Sequence, residues 1–510
     1  MIGDQSGPCS THLDPLAPGR SVAHLLRQLV FLTAALQATA CLHYQKYQAA
    51  PLNSSRQGIP YSERRLDNPD LVRFLAEHGA PPIDSGLTPA TLGVAALYFH
   101  SELTEARASF AASRAAEITA GTRPFPGGTA TVQHSSPVVG GDNSPWTVSL
   151  TTGLTFETGG KREARLARAR AFTLATGLRI DATAWRLAQG ARIAAVASLG
   201  AEGDLADAGA EVVALRAVLE LLRARYAEGR VSLADIAQGE TDVQTGVVAV
   251  TQARRARTDA RVQLSRSLAV PLRQVDTVPL REDPRSACDA SDSLFVSAPG
   301  TEMTSLASSA LQQRYEVGAA LADYAVAETD LRVAIAQQHP DLTIGPGISW
   351  DQGIVRWALS VGSPAIQLNR NRGPIAEADA RRAVHAVHVA VVEDSVLAQV
   401  DSSIASCHDV RGEIAAADSL VAATAERLRL TEAAYARGEI GQTEVAFARL
   451  ALVRVTRTRR QAAQRRQAAG ASLEAAIGRW LTMPGIRWPD AREPVRRDNG
   501  PDRNPPRNDK

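Results

Sequence analysis

The sequence predicts a mixed, mainly α-helical fold: long helices of coiled-coil type plus four β-strands, built as two internal structural repeats. Three observations predict it. The chain repeats itself at long range, its helical stretches carry narrow apolar seams, and four short segments alternate large apolar with small polar residues. Composition agrees, with 45% hydrophobic but only 5% aromatic residues among 510. Ala and Arg dominate long stretches, a profile of narrow helices rather than of a globular enzyme. The 56 basic residues stand against 54 acidic ones, so the basic excess of a nucleic-acid binder is missing. Four scattered cysteines give neither a disulfide scaffold nor a C-x-x-C zinc spacing.

The repeat is visible residue by residue. Trp146 and Ser149 recur as Trp357 and Ser360, 211 residues on. Tyr226, Gly229 and Asp235 recur as Tyr435, Gly438 and Glu444, 209 residues on. Each unit reads helix, paired strands, long helix, sharp turn, helix. Repeat one spans 86–275 and repeat two 301–482, joined by a breaker-rich linker at 276–300. Residues 41–85 form an N-terminal extension, and the Pro-rich polar tail 483–510 has the composition of disorder.

The strands come next. Trp357, Leu359 and Val361 alternate with Ala358, Ser360 and Gly362. Leu342, Ile344, Ile348 and Trp350 alternate with Thr343, Gly345, Gly347 and Ser349. Trp146, Val148, Leu150 and Leu154 alternate with Thr147, Ser149, Thr151 and Gly153, and Ala130 and Val132 with Thr129, Thr131 and Gln133. One large apolar face and one small polar face suit a strand between lipid and water. A half-buried strand of a soluble sheet has the same period. The tryptophans Trp146, Trp350 and Trp357 near strand ends favour a membrane interface. Four strands are too few to close a barrel, so closure requires several chains.

The helices have no globular core to cover. The stretch from Lys161 to Glu228 would run about 100 Å as one helix, with Gly200 and Gly203 as candidate interruptions. Val212, Leu215, Leu219, Leu222 and Tyr226 form a coiled-coil seam. Val445, Ala448, Leu452 and Val455 form another, and Ile236 and Val243 match Val445 and Leu452 in repeat one. Such helices must pack on neighbours or on copies of themselves.

The front end reads as an export signal, residues 1–40. Arg20 and Arg27 precede an apolar run, Leu29–Ala40, that is too short to span a bilayer. Ala38-Thr39-Ala40-Cys41 resembles a lipobox, which makes Cys41 the candidate lipidation site; plain cleavage after Ala40 is the alternative. Elsewhere there is no continuous apolar run of membrane-spanning length, so any crossing must be by strands.

These features together resemble the TolC-type outer-membrane efflux proteins over nearly the whole mature length. Glu157-Thr-Gly-Gly-Lys-Arg162, Asn369-Arg-Asn-Arg-Gly373, both Y-x-x-G turns and the segment Ala96–Gly121 carry the likeness. Asn369–Gly373 is most similar to the heavy-metal (cobalt–zinc–cadmium) branch. The resemblance implies a homotrimer whose protomers each give four strands to one transmembrane β-barrel in outer-membrane lipid. It implies a periplasmic helical tunnel that meets an adaptor and an inner-membrane resistance–nodulation–division pump. It implies passive export without catalysis or cofactor. Organic drugs, or proteins of a type I secretion system, are alternative cargoes of the same architecture. A structural periplasmic coiled-coil protein is the alternative outside that class.

On that reading Gly229 and Gly438 are periplasmic tip turns, although any helical hairpin needs such a glycine. Ser232 is a candidate helix cap. Glu444 and Asp235 are candidate aperture acids; a ring of Glu444 copies would attract cations. The ordinary alternative, an acid favoured by a helix N-terminus, weighs as much for Asp235. Phe447 stands where a second ring acid is usual. His385 and His388 share a helix face, and Cys407-His408 pairs two soft ligands, yet incidental placement is the simpler reading of both; Cys288 reads as a free thiol in the linker. Gly159-Gly160-Lys161 lacks the rest of a phosphate loop, and neither G-x-S-x-G nor H-E-x-x-H occurs. No metal site or catalytic constellation is assigned.

Overall fold

A computed structural model describes residues 47, 49, 59–80, 86–135, 145–289, 301–351, 354–363, 369–481 and 490–492. The export signal, Cys41, most of the tail and the linker's second half lie outside them. The chain divides into two units, Met1–Gln57 and Gly58–Lys510, and the second holds every element below. Its helices are α1 (Pro69–Glu77), α2 (Pro89–Phe99), α3 (Ser101–Gly121), α4 (Lys161–Ala227), α5 (Leu233–Leu268), α6 (Leu272–Thr277), α7 (Thr301–Gln313), α8 (Tyr315–Ala336), α9 (Arg372–Ala436) and α10 (Gln442–Ile477). Its strands are β1 (Gly127–His134), β2 (Trp146–Phe156), β3 (Leu342–Asp351) and β4 (Ile354–Gly362).

The four strands form one antiparallel sheet in the order β1-β2-β3-β4. Four helices continue them in the same order: α3 runs into β1, α4 out of β2, α8 into β3 and α9 out of β4. The helices pack side by side accordingly, α3 on α4, α4 on α8 and α8 on α9. Beyond this layer α4 pairs with α5 and α9 with α10, and α10 also lies on α4, which joins the two repeats.

The strand-to-helix corners show the duplication at the backbone. Gly159 and Gly160 both have positive φ before α4, and the matching Arg370 and Asn371 both have positive φ before α9. Glycine adopts that conformation freely; in repeat two the Asn371 side chain supports it by donating to the Ala334 carbonyl at 2.8 Å. The α4 N-terminus is occupied by this chain itself. Asp341 accepts from Lys161 Nζ at 2.7 Å and from the Thr158 amide at 3.3 Å.

Helix α4 runs unbroken through Gly200 and Gly203, against the expectation of an interruption. These glycines serve close approach. Gln464 of α10 donates to the Gly200 carbonyl at 3.1 Å, and a Cβ on Gly203 would collide with Arg460. The α4/α5 seam works the same way. Leu215, Leu219, Ile236 and Val243 are buried together with Leu450, while Gly239 and Gly246 leave room for Leu219 and Val212. Tyr226, predicted as the seam's last residue, is exposed, three residues before the tip glycine Gly229.

The largest apolar core lies at mid-length of α4. It gathers α1, the wholly buried α2, Ala191 and Ala195 of α4, the end of α5, and Val275 of α6. A buried polar cluster adjoins it. Arg192 pairs with Asp283 of the linker at 3.4 Å and with Glu474 of α10, all three at most 2% exposed, under the Trp480 ring. The linker is held further. Ser286 donates to the Arg466 carbonyl at 2.9 Å, Arg466 pairs with Asp289 at 3.3 Å, and Cys288 is disulfide-bonded to Cys407 of α9. This corrects the reading of Cys288 as a free thiol and removes Cys407 as a soft ligand beside His408. The two cysteines lie 119 residues apart in the chain, so spacing gives no hint of the bond.

Candidate functional site: the four-strand wall and the helical tips

The register settles which residues share a face. Val132, Val148, Trp350 and Val355 form one row across the sheet, and Ala130, Leu150, Ile348 and Trp357 form the next. Directly paired residues point the same way, and so do residues two apart. Trp146, Leu154, Ile344, Leu359 and Val361 therefore join this apolar face. The opposite face carries Thr129, Thr131, Thr147, Ser149, Thr151, Thr343, Ser349 and Ser360, with one ion pair, Arg356 to Asp351 at 2.8 Å. Every alternation read from the sequence lands on the predicted side.

Two glycines on the polar face allow neighbouring strands to come close. On the polar face a Cβ at Gly345 would lie 2.9 Å from the Thr152 carbonyl oxygen, and one at Gly347 would lie 2.8 Å from Thr151 Cγ2. Glycine permits this close approach of the neighbouring strands. The apolar face is open: Trp357 is 81% exposed, Leu359 68% and Val361 62%. Among the described residues no helix packs broadly on either face, and β1 and β4 have bare outer edges. The three tryptophans step one register row per strand, Trp146 on β2, Trp350 on β3 and Trp357 on β4.

At the other end of the long helices the two tips are alike in backbone and different in chemistry. Gly229 and Gly438 take φ of 72° and 76° and close α4 and α9. In repeat one Ser232 and Asp235 form a reciprocal capping box: the Asp235 amide donates to Ser232 Oγ at 3.3 Å, and Asp235 Oδ2 accepts from the Ser232 amide at 2.8 Å. The Ser232 hydroxyl, which donates to Asp235 Oδ2 at 2.7 Å, and then the Ser232 amide hold the Asp235 carboxyl below its ordinary pKa. In repeat two the capping position is Gly441, which has no side chain to offer. Glu444, the counterpart of Asp235, instead receives Arg225 of α4 at 3.2 Å. Its carboxylate remains 44% exposed. Sequence reading missed Arg225, which lies 219 residues from its partner.

Helix α10 between these ends is an arginine ladder. Toward α4, Arg454 reaches Glu211 at 2.8 Å and Arg460 reaches Asp207 at 2.5 Å and Asp204 at 2.9 Å. Toward α9, Arg449 reaches Glu432 at 2.8 Å and Arg459 reaches Asp418 at 2.5 Å. Among the described residues no three His, Cys, Asp or Glu side chains converge to hold a metal ion, and His385 and His388 stand on α9 without such company.

No family model matches the chain, and no curated protein does either. Solved structures do. The outer-membrane channel OprN superposes with a TM-score of 0.62 at 15% identity over 87% of this chain and 100% of that one. A structure of CusC, described in terms of transmembrane channel formation, gives 0.59 at 17% identity over 77% and 92%. The outer-membrane protein VceC from Vibrio cholerae gives 0.59 at 18% identity over 76% and 95%. The fold is that of the TolC-type outer-membrane channels. The TolC-type fold accounts for the doubled helix–strand unit. None of these likenesses sets the heavy-metal branch apart.

Proposed function

We propose that three copies of this chain close one β-barrel in the outer membrane and one helical conduit beneath it. The assembly is the passive exit duct of a tripartite efflux system, fed by a periplasmic adaptor and an inner-membrane pump of the resistance–nodulation–division type. One observation carries the reading: the sheet has a polar face, an exposed apolar face and two bare edges. A single copy leaves that apolar face in water and those edge amides unpaired. Closure by neighbours inside a bilayer relieves both, with lipid outside and water inside. On this reading Trp146, Trp350 and Trp357 lie in the headgroup belt, Cys41 carries an acyl anchor, and the chain performs no chemistry.

Heavy-metal cations are the proposed cargo. The Asn369–Gly373 motif supports this, and so does Glu444, whose copies would gather carboxylates around a common axis at the tips Gly229 and Gly438 define. Asp235 is assigned to its cap instead, because Ser232 already engages its carboxylate.

Purified protein reconstituted into planar bilayers tests the duct: stepwise ion conductance is expected, and a protein that inserts without conducting contradicts it. Cargo is tested separately. A strain lacking the protein should lose tolerance to zinc, cobalt or cadmium while keeping its tolerance to organic antibiotics; the reverse pattern assigns the duct to organic compounds.

A further inference from the structure

The two helices that flank the bare edges of the sheet carry matching, unpartnered faces. Helix α9 leaves edge strand β4, and α3 leads into edge strand β1. On α9 the residues facing α8 recur as Ile375, Ala378, Arg382 and Val396. Nearly opposite them around the helix runs a second stripe, Val384, Val387 and Val391, which are 67%, 65% and 57% exposed. The most apolar 18-residue window of α9 is only 11% buried within the chain. On α3 the face packed against α4 includes Leu103, Phe110 and Ser113. Opposite them lie Ala108, Ala112, Ala115 and Thr119, all exposed and all small.

We propose that the valine stripe of α9 packs into the alanine stripe of α3 of a second copy of this chain, a heterologous seam repeated around the assembly. The proposal rests on the closed-barrel reading above and names the residues that join its copies below the membrane. Topology selects the partner. When β4 of one copy pairs with β1 of the next, the only long helices brought side by side are the first copy's α9 and the second copy's α3. Within one chain the two are separated by α4 and α8, roughly 25–30 Å at ordinary helix spacings. The seam also falls at one level. Cross-bracing by Arg382–Glu328, Arg179–Asp323 and Arg186–Glu102 steps from α9 through α8 and α4 to α3 and sets Val384 near the height of Ala112. Branched side chains on one helix and methyl groups on the other give knobs and shallow holes, with little side-chain entropy to lose.

The test is cysteine cross-linking in the full-length protein in detergent, with the native disulfide left in place. Val384→Cys combined with Ala112→Cys, treated with an oxidant or a short bis-maleimide, should give dimers and trimers on a denaturing gel. Each single variant should give at most background. Ala108→Cys and Ala115→Cys in place of Ala112→Cys allow for a one-turn offset. Light scattering on the same samples reads the oligomer independently. Trimers that fail to cross-link at all three α3 positions overturn the seam and leave the barrel standing; a monomer overturns both. All these residues are exposed in the single chain, so their replacement leaves its folding intact.

Discussion

At the two tips a single difference, Ser232 against Gly441, decides what the following acid does. With a hydroxyl present, Asp235 is drawn into the cap; with none, Glu444 turns to Arg225 and keeps an exposed carboxylate. Ser232→Ala should cost the tip hairpin about 1 kcal/mol, measured by amide exchange over α5's first turns. The same substitution should let the Asp235 carboxyl return toward its ordinary pKa, read by NMR titration. The sign is fixed by the direction of the shift. A carboxyl lowered on folding contributes stability above its unfolded pKa and loses it as pH falls through the folded value, so the cap weakens only on the acid side. Glu444→Gln should leave the hairpin folded and lower cation over anion selectivity in reversal-potential measurements; unchanged selectivity reduces Glu444 to a partner of Arg225. The glycines and acids were legible because each occurs twice at one offset. Arg225 was not, since ion pairs between distant helices leave no mark in local spacing.

Among the elements, charge and covalent bonding divide the work between surface and interior. The arginines of α10 meet acids on α4 and α9 mostly in solvent, and each exposed pair contributes little. Arg454→Ala should therefore change stability by less than about 1 kcal/mol. Arg192 differs because Asp283 and Glu474 are both buried with it. Arg192→Ala leaves two carboxylates without a countercharge and should cost roughly 3–5 kcal/mol in denaturant unfolding. The Cys288–Cys407 bond closes a long loop across the linker, and Cys407→Ser should cost about 4 kcal/mol or somewhat less. Such a bond persists in an oxidising compartment, in keeping with export. The sequence indicated the seams but not this girdle. Its linker residues are breakers and small polar groups, and only the fold shows that three helices run beneath them. Gly200 and Gly203 illustrate the same limit, because glycine for close approach and glycine for a break look alike in a sequence.

For the whole molecule, the strongest statement is one of incompleteness. Strand alternation was readable from period two alone, and the register places each residue on the expected face. What the sequence did not carry is close approach between strands and the sheet's edges. The crowding at Gly345 and Gly347 and the unpaired sides of β1 and β4 exist only once strands are side by side. Four helices repeat the order of four strands, so closing the sheet also closes the helical layer. An apolar face, a polar face and two open edges are what the proposed closure by neighbouring copies would satisfy, in a fold shared with OprN, CusC and VceC. The most direct measurement is an electron-microscopy map of the assembled protein in a lipid disc. The account predicts three copies around one axis, twelve strands in a closed barrel and a continuous water-filled bore from barrel to tips. A map of single chains, or of an assembly whose strands enclose no bore, would contradict it.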